Sequence, residues 1–354
     1  MIIAIVVSFT LSGRGGMETT TSIAVRELEK SGDTIHIIMP DGETDKAWTN
    51  GFNCHYVSTG GGRFGLLAFI CKLTMLLTHL KPDLILGIDQ HAVAYSRFYR
   101  YLRHNTVRIG SWMHFALVTH GNNPRKLLKH ADFHLAISSG IADDLNRLFK
   151  KTGEPVYLIF NPIHVSERTI IRSAIPTFIY LGRLAIEQKR LDDFLLALAE
   201  LNGTWKAMII GDGSDANQIK QLARDLHLEE RIEWPGWVND PWNWITEASA
   251  MVLTSEFEGF PNVLVEALNR GLPCISSDCP TGPADIIING INGWLYPLHD
   301  LERLQEILQK IVDDPVLNLP EQQTVKQTGT RFAAEKVVAE LRRVLVAEVY
   351  KIIH

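Results

Sequence analysis

The sequence predicts a tandem pair of doubly wound α/β domains, each built on a parallel sheet. Three observations predict it. Short apolar runs recur along the chain and are near-continuously hydrophobic, as strands buried on both faces are. Helix-period stretches separate them, and strand–helix alternation is the mark of a parallel sheet with crossover helices. The alternation halts once, at Asn161–Pro176, and then resumes.

In the first series, strands fall at Ile2–Phe9, Thr34–Met39, Asp83–Ile88, Val107–Trp112, Phe133–Ile137 and Val156–Phe160. Helical patterns lie between them at Met17–Ser31, Arg63–Leu80 and Gly140–Lys150. The stretch opening on Asn161-Pro162 and closing on Pro176 reads as a linker. The second series has strands at Thr177–Leu181, Trp205–Ile210, Arg231–Trp234, Ala250–Thr254 and Pro273–Ser276, and a last helix at about Arg331–Ile352. The bounds are therefore 1–165, 166–330 and a terminal segment 331–354. Open α/β sheets bind ligands at their C-terminal strand ends, so the two domains are expected to face a central cleft there.

Composition narrows the class. With 354 residues, 46% apolar and 21% charged, there is material for two cores and no disordered tract. A net charge of −5 and the absence of a binding motif speak against nucleic acid. The charge divides unevenly: residues 1–165 hold 17 basic against 13 acidic side chains, and the remainder 18 against 27. The first half is thus the one expected to face anionic material. Cys54, Cys71, Cys274 and Cys279 lack zinc or redox spacing and read as buried free thiols in a reducing compartment. The opening MIIAIVVSF has neither a basic leader nor a cleavage site, and Leu66–Leu80, carrying Lys72, is too short to span a bilayer. A cytoplasmic chain is expected. Arg97, Arg100 and Arg103, with aromatics interleaved, fit contact with anionic lipid headgroups or a plain solvated face.

Four motifs fall where strands end. Ser12-Gly13-Arg14-Gly15-Gly16-Met17-Glu18 opens the first helix; its glycines admit a close ligand and its helix end offers N–H groups, but the spacing is not that of a dinucleotide fingerprint. Gly182-Arg183 with Lys189 follows the first strand of the second series and places two cations where a diphosphate would fit. Gly211-Asp212-Gly213-Ser214 is a turn in which Asp or Ser would cap the next helix. The sharpest is Ser255-Glu256-Phe257-Glu258-Gly259-Phe260-Pro261-Asn262-Val263-Leu264-Val265-Glu266: a strand, a glycine turn, then a helix starting near Pro261. The N–H groups of Asn262, Val263 and Leu264 would be unpaired there and open to an anion. Glu258 and Glu266 would each accept bonds from hydroxyls of one long ligand. His114, after a strand of the first series, is a lone histidine placed at a sheet end.

This frame, Glu258 to Glu266 with Gly182-Arg183 and Lys189 upstream, resembles the retaining glycosyltransferases of family GT4, which have the GT-B fold of two Rossmann-like domains. The likeness runs over most of the chain to the lipopolysaccharide 1,6-galactosyltransferases, carried by Gly15–Glu18, Asp45–Trp48, His134–Ile141, Gly211–Asp215, Glu258–Pro261 and Pro273–Cys279. It implies that Arg183 and Lys189 hold the diphosphate of UDP-galactose and stabilise the leaving UDP. It assigns Glu266 to the ribose, Glu258 and the amides after Gly259 to the donor sugar, and His114 to that sugar near the reacting carbon. Gly15 and Gly16 would close over the phosphates; Gly182, Gly211, Trp237, Phe260, Pro261, Asn262 and Val263 complete the donor set. The acceptor, a lipopolysaccharide core sugar, would be held by the first domain, with peripheral contact to the inner membrane, and the last helix would cross back to that domain. No D-x-D motif occurs, so no metal and no cofactor are expected. Another UDP-hexose transferase, an epimerase or a catalytically silent UDP-sugar binder are the competing readings.

Overall fold

A computed structural model describes residues 1–11, 15–42, 45–57, 65–104, 106–115 and 124–351. Ser12, Gly13 and Arg14 of the first motif, Arg63 at the predicted helix start and Ile352 at the chain end lie outside these. The chain divides into two units, Met1–His164 with Phe332–His354, and Val165–Arg331.

The first unit holds β1 (Ile2–Val6), β2 (Thr34–Pro40), β3 (Asn53–Val57), β4 (Leu84–Gly87), β5 (Arg108–Met113), β6 (Phe133–Ala136) and β7 (Val156–Leu158). They form one parallel sheet in the order β3-β2-β1-β4-β5-β6-β7. The apolar runs are where the burial is: β4 and β6 are buried throughout, and β1 from Ile3 onward. Strand β3 is absent from the sequence reading. Its NCHYV is half-polar and half-exposed because it is an edge strand, so it carries no continuous apolar run.

The helix Ala334–Tyr350 belongs to this unit and packs on the helix Gly16–Lys30. Two buried carboxylates hold it. Asp33 accepts from the chain's own N-terminal ammonium at 2.9 Å and from Arg342 Nε at 2.7 Å. Glu348, its side chain fully buried, accepts from Tyr157 Oη at 2.6 Å, from Lys351 Nζ at 2.5 Å and from Arg108. Burial would raise the Glu348 pKa, but these three donors outweigh it and hold the carboxyl below its ordinary value.

The second unit holds β8 (Thr177–Leu181), β9 (Lys206–Ile210), β10 (Ile232–Gly236), β11 (Ala250–Leu253), β12 (Cys274–Ser277) and β13 (Gly293–Tyr296), in the order β10-β9-β8-β11-β12-β13, again all parallel. Phe178, Tyr180, Phe194, Trp205 and Tyr296 anchor its core. In both sheets the order reverses beside the first strand. That reversal opens a crevice at the C-terminal strand ends, between β1 and β4 in one unit and between β8 and β11 in the other.

The stretch 161–176 is not a free linker. Ile163 bonds to Phe332 and Ala334 in the first unit. From Val165 on, the backbone of Ile170 and Ile171 and the side chains of Arg172 and Ser173 are bonded into the second unit, to Arg270, Thr246 and Ser249. The bonds come from the backbone of three isoleucines and from two polar side chains, Arg172 and Ser173. All four cysteines are free; Cys274 and Cys279 are buried, but Cys71 is exposed. Among the described residues no helix is long and apolar enough to cross a membrane.

Removing the Glu348 carboxylate strands the Arg108 guanidinium and the Tyr157 hydroxyl. Glu348→Ala is therefore expected to destabilise the first unit by about 3–5 kcal/mol in denaturant unfolding. Arg343→Ala, which breaks an exposed pair with Glu340 on the same helix, leaves the midpoint unmoved.

Candidate active site

In the second unit, the loops after β8 and β9 run against each other. Gly182 N donates to Ile210 O at 3.0 Å and Leu184 N to Asp212 O at 2.9 Å. The approach leaves no room for side chains. A Cβ at Gly211, whose φ is +143°, would sit 1.9 Å from the Gly182 carbonyl oxygen, and one at Gly213 2.2 Å from that of Leu184. Neither Asp212 nor Ser214 caps the following helix. Asp215 occupies the cap position, and its carboxylate instead accepts from Ile186 N at 2.7 Å, fixing the turn that leads to Lys189.

The loop after β11 is tied to the same turn. Glu256 N donates to Gln188 O and Thr254 Oγ1 to Lys189 O, both at 2.8 Å. Lys189 Nζ donates to Glu258 Oε1 at 2.6 Å, and Ser255 Oγ donates to that same oxygen at 2.6 Å. Glu258 is only 7% exposed, and Thr281 Oγ1 caps its backbone carbonyl. Gly282, with φ +96°, lets the 280–283 turn lie against Pro261, since a Cβ there would be 2.6 Å from Pro261 Cδ. Arg183 stands exposed at the mouth, its guanidinium in no hydrogen bond or ion pair among the described residues. Two of the residues singled out in the sequence, 69 positions apart, thus meet directly, with a second cation, Arg183, earlier on the same loop after β8.

Glu266 is held by a separate set of contacts. Trp242 Nε1 donates to Glu266 Oε2 at 2.7 Å, and Arg270 lies 4.7 Å over the Trp242 ring and donates to the Glu266 carbonyl. Burial raises the Glu266 pKa; the Trp242 bond and the Arg270 charge oppose it. Pro261 is the cap of the helix Asn262–Leu268 rather than its first residue. Leu264 N donates to Pro261 O at 3.0 Å, so that amide is not open to an anion as the sequence suggested. Phe260, Pro261 and Asn262 are buried, Gly259 and Val263 half-buried, and Trp237, just after β10, is exposed.

His114 follows β5 in the first unit. It is 5% exposed, its ring lies 4.7 Å from that of Trp112, and neither ring nitrogen has a hydrogen-bond partner among the described residues. Burial lowers its pKa to about 3, so the imidazole is neutral at any physiological pH. Gly15 caps the helix Gly16–Lys30; the Glu18 carboxylate folds over it, within 2.4 Å of where a Gly15 Cβ would be. At the crevice between β1 and β4 lies an open groove of about 460 Å³, lined by Phe9, Tyr95, Phe115, Gln90 and His91. Asp89 forms its floor, accepting from Ser8 N and Oγ and from the amides of His91 and Ala92.

The sequence reading missed Ser255, Thr281, Trp242 and Arg270. Ser255 lies inside the quoted motif, and its place three residues before Glu258 is the one signal available. Thr281 and Trp242 come from separate elements and meet their partners only in the fold, whereas Arg270 lies one helical turn past Glu266.

Residues 166–331 match the family model described as "Glycosyl transferases group 1", and residues 14–167 that of "Glycosyltransferase Family 4". The Escherichia coli K12 lipopolysaccharide 1,6-galactosyltransferase is 32% identical over 96% of each chain. The chain belongs to this family. The Salmonella typhimurium lipopolysaccharide 1,6-galactosyltransferase is 33% identical over 86% of this chain and 88% of its own. Among solved structures, the apo form of the lipopolysaccharide outer core galactosyltransferase WaaB superposes with a TM-score of 0.87 at 30% identity, covering 98% of this chain and all of WaaB. Anabaena HepE in complex with UDP shares the fold, with a TM-score of 0.84 at 16% identity over 98% of this chain and all of HepE. The galactosyltransferase family member described here is a hexosyltransferase with two Rossmann-like domains of GT-B type.

Two outcomes follow. Gly236→Ala, at φ +74° with nothing within 4 Å, is expected to cost about 1–2 kcal/mol, whereas Gly211→Ala is expected to cost more, on the order of 3 kcal/mol, in denaturant unfolding. The second concerns pH. His134, bonded to Ser111 Oγ at 2.7 Å, has a pKa lowered to about 4, first by burial. Below pH 6.5 the unfolded chain protonates His114 and His134 while the folded unit does not. Stability is full above pH 6.5 and falls by up to about 1.4 kcal/mol per pH unit for each as the pH drops toward the folded values. His134→Phe should remove one of these two slopes from the pH dependence of unfolding.

Proposed function

We propose that the chain moves galactose from UDP-galactose to a sugar of the lipopolysaccharide core, forming an α-1,6 linkage with retention and without a metal ion. The observation that carries this is the Lys189–Glu258 contact at the crevice between β8 and β11, with Arg183 on the loop after β8, its guanidinium in no hydrogen bond or ion pair among the described residues. The family membership supports the substrate class.

The chemistry is cleavage of the bond between the anomeric carbon and a phosphate oxygen. The sugar becomes oxocarbenium-like while negative charge grows on UDP. Fixed cations aimed at that charge lower the barrier, because they need no reorganisation as it develops. Lys189 has three N–H donors and gives one to Glu258, which leaves two for the diphosphate. Arg183 supplies a planar pair. Glu258 Oε1 is bonded to Lys189 and Ser255, which leaves Oε2 to accept a sugar hydroxyl, the role the reading gives this carboxylate. Glu266 keeps one oxygen beyond its Trp242 bond for a ribose hydroxyl. Retention then follows from front-face attack, the leaving phosphate taking the acceptor's proton. His114, neutral and unpartnered, is assigned to the donor sugar, and the aromatic groove over Asp89 to the acceptor sugar. The reading places the protein in the cytoplasm with the first unit in peripheral contact with the inner membrane.

Lys189→Ala is expected to lower kcat by roughly 100–1,000-fold, with circular dichroism showing the fold retained at assay temperature and a lowered unfolding midpoint because Glu258 loses its cation. Near-normal turnover would remove Lys189 from the phosphate site. Donor screening on purified core acceptor checks the substrate: UDP-galactose should give product, and product from UDP-glucose alone would replace galactose by glucose. Phe9→Ala and Tyr95→Ala should raise KM for the acceptor while leaving KM for the donor unchanged.

A further inference from the structure

Trp242 takes no part in the transfer chemistry, yet three segments of the second unit converge to hold it. It is 6% exposed and donates its indole N–H to Glu266 Oε2 at 2.7 Å. Tryptophan has one polar side-chain hydrogen, so this bond is its whole capacity. Its short helix, Pro241–Trp244, opens on Asp240, whose carboxylate accepts from Asn243 N at 3.2 Å. Arg168 reaches the same turn, donating to Trp242 O and Asn243 Oδ1 at 3.1 Å each and to Ile245 O at 3.3 Å. The Arg270 guanidinium covers the ring face, 4.7 Å from its centre, and also donates to Glu266 O at 2.9 Å. Phenylalanine would pack beneath Arg270 as well; what it lacks is the N–H.

The bond divides the two oxygens of Glu266. Oε2 is taken, and Oε1 accepts no hydrogen bond among the described residues. It also sets the charge. Burial raises the Glu266 pKa; the Trp242 bond and then the Arg270 charge lower it, while Asp240 raises it. The neighbouring charges are otherwise engaged. Arg168 acts on Arg270, Lys326 turns to the Glu167 carbonyl and Thr169, and Asp285 lies beside Arg331. Without the N–H, burial would gain and the carboxyl would protonate at a higher pH. A protonated carboxyl is the poorer acceptor for a hydroxyl, since the charged form makes the stronger bond.

We propose that Trp242 is a positioning residue for donor recognition: its N–H fixes the Glu266 carboxylate and leaves Oε1 to the donor's ribose. This rests on the assignment of Glu266 to the ribose given above. The test measures kcat and KM for UDP-galactose across the acid and neutral range, where its diphosphate does not titrate; UDP-glucose replaces it if the donor screen so decides. In Trp242→Phe, donor KM is expected to rise roughly tenfold with kcat unchanged. The pH below which KM climbs should also move upward. Lost packing alone would raise KM by one factor at every pH. Glu266→Gln should raise donor KM and abolish the climb. Should circular dichroism show Trp242→Phe unfolded, the wild type still decides. Of its eight indole N–H signals in a nitrogen-15 spectrum, one should shift with the midpoint of the KM curve, and Glu266→Gln should abolish that shift. A folded Trp242→Phe with wild-type KM, one with raised KM on an unmoved pH curve, or no indole signal following the midpoint would each overturn the proposal. An impaired Glu266→Gln beside an unaffected Trp242→Phe sinks this proposal and leaves the ribose assignment standing. A Glu266→Gln with wild-type donor KM removes the ribose assignment, and the proposal with it.

Discussion

The candidate site of the second unit is organised around one contact, the bond between Lys189 and Glu258. The strand order sends the loops after β8 and β11 apart, and this pair, with the bonds of Glu256 N to Gln188 O and of Thr254 Oγ1 to Lys189 O, ties them back together. An ammonium and a carboxylate this far from water are tolerable only if their remaining hydrogen-bonding capacity is met, or if a ligand meets it. Glu258 is provided for by Ser255, and its backbone by Thr281. Lys189 is not: among the described residues its ammonium donates only to Glu258, and the Arg183 guanidinium on the same loop has no hydrogen bond or ion pair. The imbalance is what makes the crevice a candidate anion site rather than a closed structural salt bridge. The glycines follow from the same constraint. Gly211 and Gly213 let the β8 and β9 loops touch, and Gly282 lets the turn after β12 touch Pro261, so three backbones converge where side chains would hold them apart.

The first unit meets the same topological problem with different chemistry. Its strand order is the same around β1 and β4, and a buried carboxylate again spans the gap. Asp89 takes the amide and hydroxyl of Ser8 on one side and two helix amides on the other. Here the partners are neutral and the carboxylate is saturated. Among the described residues lining the groove there is no lysine or arginine, and its walls include Phe9, Tyr95 and Phe115. The two crevices thus differ in chemistry, one carrying a lysine and a carboxylate and the other a saturated carboxylate under aromatic side chains, although the backbone plan is shared.

How much of this was legible depended on whether the signal was local. The buried strands and the E-x7-E frame announce themselves within a dozen residues, because burial on both faces demands a continuous apolar run and a sheet-end turn demands glycine. Strand β3 did not, since an edge strand mixes polar and apolar residues. Strand β13 did not either: its four residues begin with Gly293, whose missing Cβ is required by the Cys274 carbonyl. Partnerships across the chain were the least visible. Nothing in the sequence ties Trp242 to Glu266, or marks Glu348 as buried when a helical Glu three residues before Lys351 reads as a solvated pair. The stretch 161–176 contains the change from one unit to the other at His164–Val165, but its bonding was not legible, because residues with no periodicity look alike whether water or a neighbouring backbone satisfies them.

Net charge was a still weaker guide. The first half is the more basic, yet the candidate diphosphate site lies in the half with 18 basic and 27 acidic residues. Screening reconciles the two: at physiological salt a charge is felt over about 8 Å, so an exposed carboxylate across the domain does little at the crevice. What acts there is local, Arg183 and Lys189 against one buried carboxylate, while neighbouring Arg190 is consumed by Asp192 and Asp193. The same argument gives the basic half its meaning. Its surplus gathers at the N-terminal ends of β5 to β7, where several cations lie within one screening length of each other and their fields add. Clustering, rather than total charge, decides which face of each unit attracts an anion.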